Sequence, residues 1–137
     1  MQLTQNDHIL LYYLQYILQL LQQYIRFTML ESLLGSTSCE QVLMFIFARD
    51  EAYSHEIAKF YNTNNRPIHN QLHKLEFNGV LRSKKVGKTI LFSFNKRYSF
   101  LPELKSLLLK ALCFYPDDEY EKLMLNRRRP RRTGKPL

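Results

Sequence analysis

Apolar residues near the start of the chain recur at helical spacing. Leu10, Leu14, Ile17, Leu21 and Ile25 form one stripe, and Ile9, Tyr13, Tyr16, Leu20, Tyr24 and Phe27 form another. This predicts a helix capped by Asn6 or Asp7 and running to about Phe27. Only His8, Gln15, Gln19, Gln22 and Arg26 remain as a polar strip. A helix on a monomer surface has one apolar face. Two stripes predict that one packs on its own domain while the other meets a second subunit; a helix sunk wholly in its own fold is the alternative. The residues assigned to the subunit contact are Tyr13, Tyr16, Leu20 and Tyr24, with Leu108 and Leu112 from a later helix.

After a short helical piece, Met29 to Leu34, Gly35 breaks the pattern. Thr37-Ser38-Cys39-Glu40 has the form of a capping box opening a helix that ends at Asp50. Ser54 is the expected cap of another short helix, with Ile57, Ala58 and Tyr61 inward. Asn64 is the expected cap of a third, with Pro67 in its first turn and Ile68, Leu72 and Leu75 as its buried stripe. Gly79 ends it as a left-handed cap would. The period then changes to alternation. Val80–Val86 and Thr89–Phe94 read as two strands joined by a tight turn at Gly87-Lys88, with Ile90, Phe92 and Phe94 on one face. Pro102 opens a last helix with the seam Leu104, Leu107, Leu108, Ala111 and Leu112. Asp117 to Glu121 reads as a solvated acidic hinge, with one or two turns of helix available from Tyr120 to Asn126. Beyond it lies a basic arm with no core of its own. The predicted class is mainly α with a small β-hairpin. Its divisions are an N-terminal helix (1–28), a central domain (29–113), and a hinge with arm (114–137).

Charge changes the picture. The 137 residues carry a formal net charge of +8. Residues 1–48 hold Arg26 against Asp7, Glu31 and Glu40, a net of −2, so the remainder carries +10. A polyanion is the favoured partner of that remainder. The order helix, helix, turn, helix, basic hairpin gives this a mechanical meaning. With one stripe of the third helix buried, its other side is free to enter a major groove. That side carries Asn65, Arg66, His69, Asn70 and His73, with Lys74 at the edge. Arg can donate two hydrogen bonds to guanine, and Asn can pair with adenine N6 and N7. Taken alone, the same face also reads as a solvated helix flank. The hairpin adds Arg82, Lys84, Lys85 and Lys88, which suit phosphates or a minor groove or, alternatively, a lysine-guarded strand edge. Arg127, Arg128, Arg129, Arg131 and Arg132 in the arm suit phosphate contacts, or serve solubility alone.

The segments Glu51-Ala52-Tyr53-Ser54-His55-Glu56-Ile57-Ala58 and Ile68-His69-Asn70-Gln71-Leu72-His73-Lys74-Leu75-Glu76-Phe77-Asn78-Gly79-Val80-Leu81 resemble the core of ArsR/MarR-type winged helix-turn-helix regulators. The stretches Lys85–Thr89 and Asn95–Leu104 resemble a narrower group of small prokaryotic winged-helix proteins, some encoded beside nucleotidyltransferase-like genes. The resemblance covers about residues 29–112, and the winged domain within it runs from about Thr37 to Asn95. It implies a homodimeric, cytoplasmic transcriptional regulator that reads a palindromic site in double-stranded DNA with a recognition helix (64–78) and a wing (80–95). Pro67 stands where many relatives carry a phosphate-contacting Ser or Thr, and the helix before Met29 is an addition to the pattern. An interaction adaptor, such as an antitoxin-like partner of a nucleotidyltransferase-type protein, is the alternative, and RNA binding through the same basic surface a weaker one.

Other chemistry finds little support. Gly35, Gly79, Gly87 and Gly134 are too scattered for a phosphate-cradling loop, and no nucleophile has a recognisable histidine and carboxylate beside it, so no enzyme and no cofactor are expected. His69 and His73 have chelating spacing but no evident third ligand, so no metal is expected. Cys39 and Cys113 fit no metal or disulfide pattern, which suits a reducing cytoplasm. The apolar run Ile9–Leu21 is shorter than a membrane span and follows no basic leader, so neither a membrane anchor nor a signal peptide is expected.

Overall fold

The structure is a computed structural model and describes residue 2, residues 4–27 (side chains of 22–27 left aside) and residues 29–125. It is mainly helical, with one three-stranded antiparallel sheet. Helix α1 spans Gln5–Phe27, α2 Glu31–Leu34 and α3 Thr37–Arg49. Strand β1 (Glu51–Tyr53), α4 (Ser54–Phe60) and α5 (Asn65–Phe77) follow. Strands β2 (Leu81–Val86) and β3 (Thr89–Phe94) lead into α6 (Leu101–Cys113) and α7 (Asp117–Met124).

Helix α3 is the axis of the core. Val42 to Ile46 are all buried, and the Phe45 ring meets Phe60 edge-on at 5.4 Å. The hydroxyl of Ser36, rather than Thr37, caps α3 by accepting from the Cys39 N–H at 3.1 Å. Glu40 therefore does not reach back in a capping box. It is 1% exposed and accepts from the Leu30 N–H at 2.9 Å, with the Tyr115 hydroxyl at 3.5 Å. Burial raises its pKa, the Leu30 hydrogen bond opposing, and burial likewise raises that of Tyr115.

The sheet has the order β1-β3-β2, so the expected hairpin gains a third strand. Ala52 lies opposite Phe92 and anchors β1 in the core. Gly87, at φ +61, takes the first position of the β2–β3 turn, a left-handed conformation that glycine adopts without the penalty a side chain would bring. Gly79 closes α5: its N–H donates to Glu76 and the Val80 N–H donates to Leu75, at 3.0 and 2.9 Å.

Two expectations about the ends of the chain are corrected. The acidic run is the first turn of α7, where carboxylates suit the positive end of a helix. Leu123 buries that helix in the core. The Arg49 guanidinium lies 4.4 Å from the Phe45 ring centroid and donates to the carbonyls of Leu123 and Lys122. These are carbonyls that the end of a helix leaves unpaired. Between Ile9 and Leu21, helix α1 lays neither stripe on the chain's own domain. Its apolar side chains from Ile9 to Leu21 are all exposed. No helix among the described residues is long and apolar enough to cross a membrane.

Candidate functional site

Helix α5 is fixed by one flank and bare on the other. Ile68 and Leu72 are 0% exposed, and Leu75 packs against the same core. This apolar stripe, four and then three residues apart, sets the roll of the helix. Asn65, Arg66, His69, Asn70, His73 and Lys74 are consequently all exposed.

They are not equivalent. The Ser54 hydroxyl donates to the Asn65 side-chain carbonyl at 2.6 Å, joining the starts of α4 and α5. Ser54 is thus a strut between helices, with Tyr53 in the cap position of α4. His73 sits edge-on to Phe92 at 5.6 Å and 3.5 Å from the Glu76 carboxylate. Arg66 and Asn70 line an open cleft of about 700 Å³ beside Ser38 and Gln71. On the other flank, Asn65 and His69 share a cleft of about 220 Å³ with His55 and Lys88 of the hairpin turn. The hairpin tip therefore stands beside the first half of α5.

The register of the hairpin divides its cations. Leu81 pairs with Phe94, Ser83 with Phe92 and Lys85 with Ile90, so these share the face that bears the core residues. Ser83 also hydrogen-bonds Glu76 of α5. Arg82, opposite Ser93, and Lys84, opposite Leu91, project from the other face. Arg82 lines a separate cleft with Lys96 and Lys105. Of the four hairpin cations, Lys85 and Lys88 stand on the α5 side, and Arg82 and Lys84 stand away from it.

Phe77 was missed by sequence reasoning. It is 91% exposed and falls on the Arg66–Asn70–His73 line, at spacings of four, three and four. Its signal was available: an aromatic at the end of α5 that is out of phase with Ile68, Leu72 and Leu75.

Other assigned residues fall elsewhere. Leu108 and Leu112 are buried in the chain's own core and present nothing to a second subunit. Tyr13, Tyr16 and Leu20 are exposed on α1. The side chain of Tyr24 and all of Arg127, Arg128, Arg129, Arg131 and Arg132 lie outside the described residues. The rings of His69 and His73 are 4.3 Å apart, but no group of three or more His, Cys, Asp or Glu is placed to hold a metal among the described residues. Cys39 and Cys113 are free thiols; burial raises the pKa of Cys39.

No family model matches the chain, and no curated protein or solved structure matches it.

Proposed function

We propose that the chain is a winged helix DNA-binding regulator. Helix α5 enters the major groove and the β2–β3 hairpin lies along the adjacent backbone as the wing. The observation that carries this reading is the joint exposure of Arg66, His69 and Asn70 on the free flank of α5, with Lys88 lining the same cleft as His69. Arg66 and Asn70 supply the bidentate donors and acceptors that distinguish guanine and adenine. Lys85 and Lys88 supply the phosphate contacts that set register and affinity. Such a protein works in the cytoplasm, where Cys39 and Cys113 stay reduced.

Selection of bound sites from a random duplex pool tests the reading. The wild type enriches a defined sequence, whereas Arg66→Ala loses about 1–3 kcal/mol of affinity and relaxes preference at one position. Unchanged affinity and unchanged base preference in that variant would refute the recognition-helix role of α5.

A further inference from the structure

Helix α1 is the least covered element among the described residues. Eleven large apolar side chains between Ile9 and Leu21 are each 48–70% exposed. At 100° per residue they span an arc of roughly 260°, interrupted only on the Gln15–Gln19 side. Together they leave on the order of 1,000 Å² of apolar surface in water, whereas contiguous patches on monomers rarely exceed a few hundred Å². A stable interface takes about 800 Å² from each partner.

The arc has an internal order. Leu10, Tyr13, Ile17 and Leu20 recur at three, four and three residues, and the sequence continues the count with Tyr24 and Phe27. This alternation is the seam of paired helices. A helix lying on a lipid surface carries Lys and Arg along its polar face. Here that face holds Gln15 and Gln19, with the helix's single basic residue, Arg26, near its end. Asp7 and Arg26 are the only Asp, Glu, Lys or Arg residues of α1, placed near opposite ends. A parallel pair would set like charge beside like charge at both ends. An antiparallel pair sets Asp7 beside the partner's Arg26 at each end, and also opposes the helix dipoles.

We propose that α1 pairs antiparallel with α1 of a second copy of this chain, with the two-fold axis passing near Ile17. Tyr13 then faces the partner's Leu20. The contact is isologous, so each copy supplies the same seam. The pairing does not depend on the DNA reading, but it has a consequence for it. Each α1 leads into its domain at its C-terminal end, beside the Leu30–Glu40 hydrogen bond. With the axis near Ile17, an antiparallel pair therefore places the two α1 C-terminal ends, where the domains begin, about 30 Å apart at 1.5 Å per residue. Half-sites one turn of DNA apart are separated by about the same distance.

Sedimentation and light scattering of the full chain test this. The wild type is expected at twice the chain mass of 16.5 kDa. Ile17→Glu brings two carboxylates together at the axis and should weaken the dimer about 100-fold or more, while leaving the thermal unfolding of the domain core in place. In a Cys113→Ser background, mild oxidation should cross-link Ile17→Cys to its own copy and leave Leu10→Cys uncross-linked. This comparison keeps the seam intact if the glutamate variant precipitates. A monomeric wild type, including one that docks only a foreign chain, overturns the proposal. So does a dimer indifferent to Ile17→Glu. Equal cross-linking at positions 10 and 17 overturns the antiparallel arrangement. A monomer that still selects a DNA sequence would sink the pairing and leave the DNA reading standing.

Discussion

Phe77 and Glu40 invert the usual placement of their residue types. A phenylalanine that is 91% exposed contributes almost nothing to the core, so Phe77→Ala should change unfolding free energy by no more than about 0.5 kcal/mol. On the proposed DNA-facing line, its ring is positioned for apolar contact with a thymine methyl. The same variant should therefore bind its selected duplex more weakly; equal affinity would remove Phe77 from the interface. Glu40 is the opposite case, a carboxyl sealed beneath Leu30 and Tyr115 with its pKa raised by burial. It binds a proton more readily folded than unfolded. Its contribution to stability is therefore lost as pH rises through the raised value, and is fully present below the ordinary carboxyl value of about 4.3. Denaturant titrations across that window should show wild type gaining stability relative to Glu40→Gln as pH falls. A pH-independent difference between the two proteins would show that Glu40 does not titrate in this way.

Among the elements, long-range pairing separates what the sequence reveals from what it conceals. Helices α3, α5 and α6 were legible because their apolar positions repeat over three or more turns. The β2–β3 hairpin was legible from the Gly87 turn between alternating runs. Strand β1 was not, because Glu51–Tyr53 is too short to alternate and exists through its pairing with β3. The first turn of helix α7 was hidden by charge: Asp117, Asp118 and Glu119 resemble a solvated linker, and only the turns from Tyr120 onward, with the one buried residue Leu123, were in view. The cation count of the hairpin was legible, but its division was not, since the face of each residue follows from register. That division predicts a measurable asymmetry. Losing Lys85 or Lys88 should each reduce the dependence of log affinity on log salt by about 0.9. Arg82→Ala and Lys84→Ala should leave the slope in place. Four equal effects would mean that the duplex contacts both faces of the ribbon.

At the scale of the whole molecule, charge and apolar surface are segregated. The apolar helix α1 lies at one end of the sequence, the cationic hairpin and α5 in the middle, and five arginines between positions 127 and 132 near the other end. The site proposed for DNA was legible as a set of residues, whereas the bareness of α1 was not, because a doubly striped helix is equally compatible with burial. Truncation after Leu125 removes the arginines and leaves α7 in place. It should weaken binding to all duplexes alike and flatten the salt dependence, without altering base preference. A changed consensus in the selected sites would instead give the arm a part in reading sequence.

The grip of Arg49 on the last carbonyls of α7 turns the arginine segment into a tethered arm. Leu125 immediately follows the clamped turn, and Arg132 is seven residues further on. At no more than about 3.5 Å per residue, none of these guanidinium-bearing positions can stray beyond roughly 25 Å from that root. On the proposed DNA reading, a duplex already held by α5 would meet these arginines at a local concentration in the millimolar range, so each phosphate contact they made would count as an intramolecular event.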